Sequence, residues 1–290
     1  MPAAEHDKFM SSEEDTPQDP ETNKKPATII NLSGYRFVSL EHVPVLQADL
    51  ERELGATGVL GTILLADEGI NVAIAGPRTA INAARECLNR YPALAGLWLK
   101  ESLSDTLPFS KLKIRVRREI IAFDGGELTI DPDSGIAPTV APTTLRAELD
   151  GPSPPVLLDT RNDYEIAAGG FTQALSLGID NFRDFRAAVD AALDDQRLSL
   201  ETPLVTFCTG GIRCEKAAPW LVERGFKDVR QIEGGILNWL ASQDGAHWQG
   251  DCFVFDDRVT VDSALVPTGS ARCPRCHRAV STGECCSCGA

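Results

Sequence analysis

Between Val205 and Ala217 an apolar run of β character, Val205-Thr206-Phe207, delivers Cys208 into a Gly210-Gly211 turn, and a helical stretch follows at once. Few folds accommodate such a junction. It requires a strand ending in a tight loop whose backbone N–H groups turn inward, with a helix N-terminus directly behind. That arrangement aims an N–H cradle, the positive end of a helix and the guanidinium of Arg213 at one sulfur. An ordinary cysteine is only about 3% thiolate at pH 7, and a depression of about two units would make the thiolate the majority species. Cys208 therefore reads as an activated nucleophile, against the plainer reading of a buried cysteine beside a glycine turn.

The spacing Cys208, Gly211, Arg213 meets a Cys-x-x-Gly-x-Arg pattern and resembles the active loop of single-domain sulfurtransferases of the rhodanese superfamily. Related phosphatases place five residues between cysteine and arginine; here four intervene, a loop that by analogy suits a sulfane sulfur better than a phosphate. Val156-Leu157-Leu158-Asp159-Thr160-Arg161 resembles the first strand of that fold, followed by Glu165 and the small-residue turn Gly169-Gly170-Phe171. Ile232-Glu233-Gly234-Gly235-Ile236-Leu237-Asn238-Trp239 resembles its closing Gly-Gly…Trp motif. Many rhodaneses carry Gly-His-Ile where this chain has Gly170-Phe171.

The 290 residues suffice for two ordinary domains and a tail. A net charge of -14 argues against a protein that coats nucleic acid indiscriminately. Residues 1–27 hold seven acids against three lysines and almost no apolar residues, the composition of a disordered tail. That tail has neither the apolar core of a signal peptide nor the Arg-rich, acid-poor character of a transit sequence, and no run reaches transmembrane length. These features predict a soluble cytoplasmic protein. The nine cysteines cluster: Cys208 and Cys214 in the loop, five in the last eighteen residues, Cys87 and Cys252 alone. Without an export signal this pattern reads as thiol chemistry and metal binding.

Five segments follow along the chain: the acidic tail 1–27, a first domain 28–123, a linker and helix 124–150, a second domain 151–245 and a Cys-rich segment 246–290. In the first domain the spacing predicts strands at 29–40, 59–66, 70–75 and 111–123 with helices at 45–54 and 79–91. That βαββαβ order suggests a ferredoxin-like, acylphosphatase-like α/β sandwich. The second domain alternates strands and helices in the doubly wound manner of a rhodanese parallel sheet, with Cys208 at the carboxyl end of a strand, where such folds bind ligands.

Lys111-Leu112-Lys113-Ile114-Arg115-Val116-Arg117 alternates base and apolar residue. In a strand this sets Lys111, Lys113, Arg115 and Arg117 on one face. The face is either an ordinary solvated one or, since four stacked like charges repel, a surface for a polyanion such as a phosphate backbone. At the carboxyl end Cys273-Pro274-Arg275-Cys276 and Cys285-Cys286-Ser287-Cys288 form two Cys-x-x-Cys knuckles. Cys273, Cys276, Cys285 and Cys288 match a tetrathiolate structural zinc site, a minimal zinc ribbon, with His277 and Cys286 as substitute ligands and redox-active cysteine pairs as the rival reading. Cys214 either resolves a persulfide or disulfide with Cys208 or is a small residue at a helix start. His42 and His247, the histidines outside the two ends, are too few for a two-histidine, one-carboxylate iron site. No flavin, haem or nucleotide motif is visible.

The whole of 28–290 resembles the tRNA uridine hydroxylase family. Its most specific signature is Cys208-Thr209-Gly210-Gly211-Ile212-Arg213-Cys214-Glu215-Lys216-Ala217, joined by Ala66-Asp67-Glu68-Gly69-Ile70-Asn71, Leu158 to Glu165 and Phe253 to Arg258. The departures are Asp67-Glu68 where a Glu-Glu pair is common and Val72 where a glycine is frequent. The resemblance implies oxygen-dependent 5-hydroxylation of the wobble uridine of tRNA, with Cys208 as the catalytic, persulfide-type residue. A generic thiosulfate or persulfide sulfurtransferase, passing sulfur between a donor and a small thiol, is the alternative that needs only the Cys208 loop.

Overall fold

A computed structural model describes residues 28–123 and 138–281. The first part runs β1 (Ile29–Phe37), α1 (Val43–Thr57), β2 (Leu60–Ala66), β3 (Gly69–Gly76), α2 (Arg78–Asn89), β4 (Lys100–Ser104) and β5 (Leu112–Val116). They form one sheet in the order β4-β1-β3-β2-β5, antiparallel except for the β2–β5 pair. Alternation decides the faces: Leu32, Ile63, Leu65, Ile70 and Ile74 turn toward α1 and α2, whose Leu50, Leu54, Ile81 and Leu88 seal them from water. Ser33, Tyr35, Thr62, Leu64, Asn71 and Ala73 fall on the opposite, helix-free face. The β2–β3 turn is Asp67-Glu68. Gly69 then takes φ 146°, and a Cβ there would stand 2.1 Å from the Arg36 carbonyl oxygen, so only glycine fits.

The strand foreseen at 111–123 spans only Leu112–Val116, and the place beside β1 belongs to Lys100–Ser104, too polar and too exposed to show a period. The apolar residues that suggested a longer strand serve elsewhere. Beyond Arg117 the chain leaves the sheet, Ile120 donates its N–H to the Glu68 carboxylate, and Phe123 packs among Leu158, Phe182 and Phe185 of the second core.

The second part continues with β6 (Thr139–Val140), α3 (Pro142–Leu149), β7 (Val156–Asp159), α4 (Asp163–Ile166), β8 (Gly169–Phe171), β9 (Leu175–Ser176), α5 (Phe185–Asp194), β10 (Leu204–Phe207), α6 (Cys214–Arg224), β11 (Val229–Ile232) and α7 (Gly235–Gln243). The sheet order β6-β11-β10-β7-β9 is parallel throughout. Separate apolar clusters cover its two faces, which leaves every residue of the central strand β10 buried. This burial fixes the carboxyl end of β10, and with it Cys208, in a rigid setting. Two short hairpins follow, pairing Cys252–Phe253 with Thr260–Val261 and Ala271–Arg272 with Ala279–Val280.

Candidate active site

Cys208 is the first residue beyond β10 and is 1% exposed. The loop folds back so that Gly211 donates its N–H to Cys208 Sγ at 3.1 Å, and the Arg213 backbone and the Cys214 thiol stand beside the same sulfur and favour its anion. The carbonyls face the other way. Cys208 and Thr209 give their oxygens to the N–H groups of Ile236 and Leu237, at 3.0 and 3.1 Å, in the first turn of α7. The Gly234-Gly235 pair allows this approach: a Cβ on Gly235, φ 64°, would sit 2.5 Å from the Cys208 oxygen. Donors therefore converge on the sulfur while acceptors are bound behind it, the geometry that stabilises an anion.

Burial alone would disfavour the thiolate. The Cys214 thiol, the Arg213 guanidinium and the N–H groups of Arg213 and Gly211 outweigh it and bring Cys208 down to about 6. Cys214, fully buried, is pushed well up by burial and then by the neighbouring sulfur, so it stays a thiol. Thr160 Oγ1 lies 3.9 Å from it. The Arg213 guanidinium acts on the sulfur at a distance, because both its terminal nitrogens bond Glu165, each at 2.7 Å, with both side chains at most 5% exposed.

Residues of the first sheet complete the surroundings. The Tyr35 hydroxyl donates to Glu215 Oε1 at 2.9 Å, and a Cβ on Gly211 would stand 2.8 Å from that hydroxyl. Lys216, one residue on, is fully buried and pairs with Glu119 at 2.7 Å and Glu68 at 2.9 Å. Between the two sheets opens a cavity of about 610 Å³ onto which Cys208, Gly210, Arg213, Tyr35, Asn71 and Lys100 face. Trp98 and Phe255, 60% and 54% exposed, stand on its lining, and the Arg213 guanidinium lies over the Phe255 ring at 5.7 Å.

The structure brings Gly210, Gly211, Arg213 and Cys214 together around Cys208. Arg117 lines the same cavity. Lys113 and Arg115 stand opposite Thr62 and Leu64 in register, on the helix-free face that the cavity uses, and Lys111 precedes the strand. None of these four bases forms an ion pair among the described residues. Cys273 and Cys276 lie in the turn of the last hairpin, where Cys273 donates its N–H to the Arg278 oxygen and accepts from the His277 N–H. Cys285, Cys286 and Cys288 lie outside the described residues. Among the described residues no group of three or more candidate ligands converges on a metal position. No helix of the described residues is long and apolar enough to cross a membrane.

Comparison with known proteins agrees with these two sheets. The UPF0176 acylphosphatase like domain matches residues 29–120, and the Rhodanese-like domain matches residues 141–242. A tRNA uridine(34) hydroxylase of Bordetella petrii is 44% identical over 247 residues, covering 83% of this chain and 96% of that protein. This chain belongs to the tRNA uridine(34) hydroxylase family. Hydroxylases of the same name from Burkholderia pseudomallei and Cupriavidus necator are 43% and 42% identical, covering 87% and 88% of this chain and 86% and 91% of theirs.

In this member of the tRNA uridine(34) hydroxylase family, sequence reasoning missed Tyr35, Lys100 and Trp98. Each sits more than a hundred residues from Cys208 and reaches the cavity only through sheet pairing. A partial signal existed for Tyr35, an aromatic residue at a position where strand alternation leaves the core. Lys100 had none.

Proposed function

We propose that this protein hydroxylates C5 of the wobble uridine, position 34 of tRNA, with molecular oxygen as co-substrate, and that Cys208 is the nucleophile. The observation that carries this reading is a sulfur cradled by the Gly211 N–H and opening on a two-sided cavity of about 610 Å³, within the usual range for small-ligand sites. Anticodon bases are already largely unpaired, so one need only leave its stack to enter such a cavity, at modest cost. Gly210, Gly211 and Arg213 hold the sulfur, and Cys214 supplies the donor that keeps it anionic and stands ready to resolve an oxidised form. Lys111, Lys113, Arg115 and Arg117 offer a basic stripe to the tRNA backbone, continuous with the cavity through Arg117.

The finer architecture belongs to the same proposal. The β4-β1-β3-β2 core with two helices on one face supports a ferredoxin-like domain over 28–123, extended by β5, ahead of a second domain over 151–245. In the segment 246–290, the hairpin that presents Cys273 and Cys276 supports a structural zinc site completed by Cys285 and Cys288, which would close a tail with little core of its own. The protein acts in the cytoplasm.

Generic sulfur transfer, with a sulfur donor or small thiol as partner, has one observation in its favour: the same N–H cradle would hold a persulfide. Nucleoside mass spectrometry of tRNA from cells lacking the protein decides between them. Loss of 5-hydroxyuridine and its derivatives, restored by wild type and not by Cys208→Ala, supports the hydroxylase. Unchanged levels reject it and leave sulfur transfer.

A further inference from the structure

Of the cations around the cavity, one stands out by its lack of partners. Arg213 is tied to Glu165 and Arg258 to Asp256, and Lys216 is held behind the loop by two carboxylates. Arg117 and Arg183 line the cavity as exposed side chains that meet solvent. Lys100 is different: its Nζ is buried from solvent and has no hydrogen-bond partner.

An ammonium removed from water without compensation costs several kcal/mol, and folded proteins rarely tolerate one without a use for it. The groups packed around Lys100 offer no compensation. Cys252, on the next hairpin, is a fully buried thiol pushed up to about 12 chiefly by burial, so it stays neutral. Asp256 gives both carboxylate oxygens to Arg258, and Glu101, next on the same strand, is engaged by Arg78 and Arg85. Burial lowers Lys100 itself to about 8.

We propose that Lys100 is a substrate-contacting residue whose ammonium donates to the C4 carbonyl oxygen of the pyrimidine bound in the cavity, and so selects uridine over cytidine. The inference rests on the hydroxylase reading and goes beyond it by naming the residue that reads the base. An ammonium has three donors and no acceptor. Uracil presents a carbonyl at C4, where cytosine presents an amino group that is itself a donor; opposite an ammonium, cytosine would leave two buried donors facing each other. The phosphates of the strand, which stay hydrated, are matched by the exposed Arg117 at the lining and by the basic face of β5. Lys100 pairs with Ser33 on the helix-free face, and a rotation of its side chain would carry the covered ammonium to an oxygen that arrives without its own solvent shell; a base edge is such an oxygen.

The test uses the full-length protein and two anticodon stem-loop RNAs differing only in uridine or cytidine at position 34. Lys100→Met, with melting temperature checked against wild type, is expected to lose the preference for uridine by about tenfold or more, because one base-specific hydrogen bond is removed. Wild-type preference is expected to decline as pH rises through about 8, where the ammonium is lost and the amine gains an acceptor. Lys100→Arg carries the charge beyond that range and keeps the preference to higher pH. A folded Lys100→Met with intact preference overturns the assignment. Equal weakening of both RNAs also overturns it, and makes Lys100 a phosphate contact. A wild type without preference overturns it too; 5-hydroxyuridine formation by the same sample then tells whether the hydroxylase reading falls with it.

Discussion

Arg213 and Glu165 meet through two parallel hydrogen bonds of 2.7 Å in a site almost closed to water, so the loop arginine is already engaged before any ligand arrives. Its charge therefore acts on Cys208 as a fixed field, and the carboxylate holds the loop to α4. Replacing one partner of a buried pair leaves an uncompensated charge at a cost of roughly 3–5 kcal/mol, less when shape and one hydrogen bond remain. Glu165→Gln is expected to destabilise the protein by about 3 kcal/mol, read from urea unfolding, and Glu165→Ala by more.

The sulfur's ionisation should be visible in its reactivity. With Cys208 brought down to about 6, alkylation by iodoacetamide should rise through about pH 6 and level off above it, whereas an ordinary cysteine would still be gaining near pH 8.5. Cys214→Ala removes the neighbouring thiol that favours the thiolate, so the midpoint should move up. Peptide mass spectrometry, with Cys208→Ser as blank, follows the labelled site. A midpoint above pH 8 in the wild type would contradict the geometry described for the loop.

Gly235→Ala isolates the role of the α7 turn. The added Cβ would press 2.5 Å from a backbone oxygen in a φ 64° conformation, and backbone there cannot yield as a flexible side chain would. We expect a loss of about 1–3 kcal/mol of stability together with an upward shift of the Cys208 alkylation midpoint. Both changes should appear in one variant, because the displaced carbonyl belongs to the reactive residue.

Lys216→Met removes the ammonium that bridges Glu68 and Glu119. Taking one partner out of a buried ion cluster leaves the remaining charge poorly compensated, so the variant should lose about 3–5 kcal/mol of stability, read from urea unfolding. Stability equal to that of wild type would mean that the cluster contributes nothing to the fold.

The basic face of β5 is tested by Lys113→Glu/Arg115→Glu. Affinity for tRNA should fall, and the slope of log Kd against log salt should diminish by about one for each phosphate that the variant no longer neutralises. Binding unchanged at all salt concentrations would reject this face as the tRNA surface.

What could be read in advance followed contiguity. The Cys208 loop was legible because strand, glycine turn and helix start are adjacent in sequence, so ten residues contain the cradle and the nucleophile together. Glu165 was noticed as part of a motif, yet its bond to Arg213 was not foreseen, since pairing across 48 positions leaves no local trace. The strand at Lys100–Ser104 was missed because an edge strand with one exposed face and few apolar residues lacks a clear period of two. The reverse error arose at Ile120 to Phe123, where apolar residues bound for a different core imitated a continuing strand.

The cluster of Lys216 with Glu68 and Glu119 has a consequence for how the molecule can be divided. The lysine belongs to the helix behind the thiol, and the two carboxylates belong to the amino-terminal half. A protein cut between the two sheets would strand a buried ammonium on one fragment and a pair of acids on the other. Neither half would be a faithful miniature of the whole, and the fragment carrying the cysteine would report the reactivity of a misassembled loop.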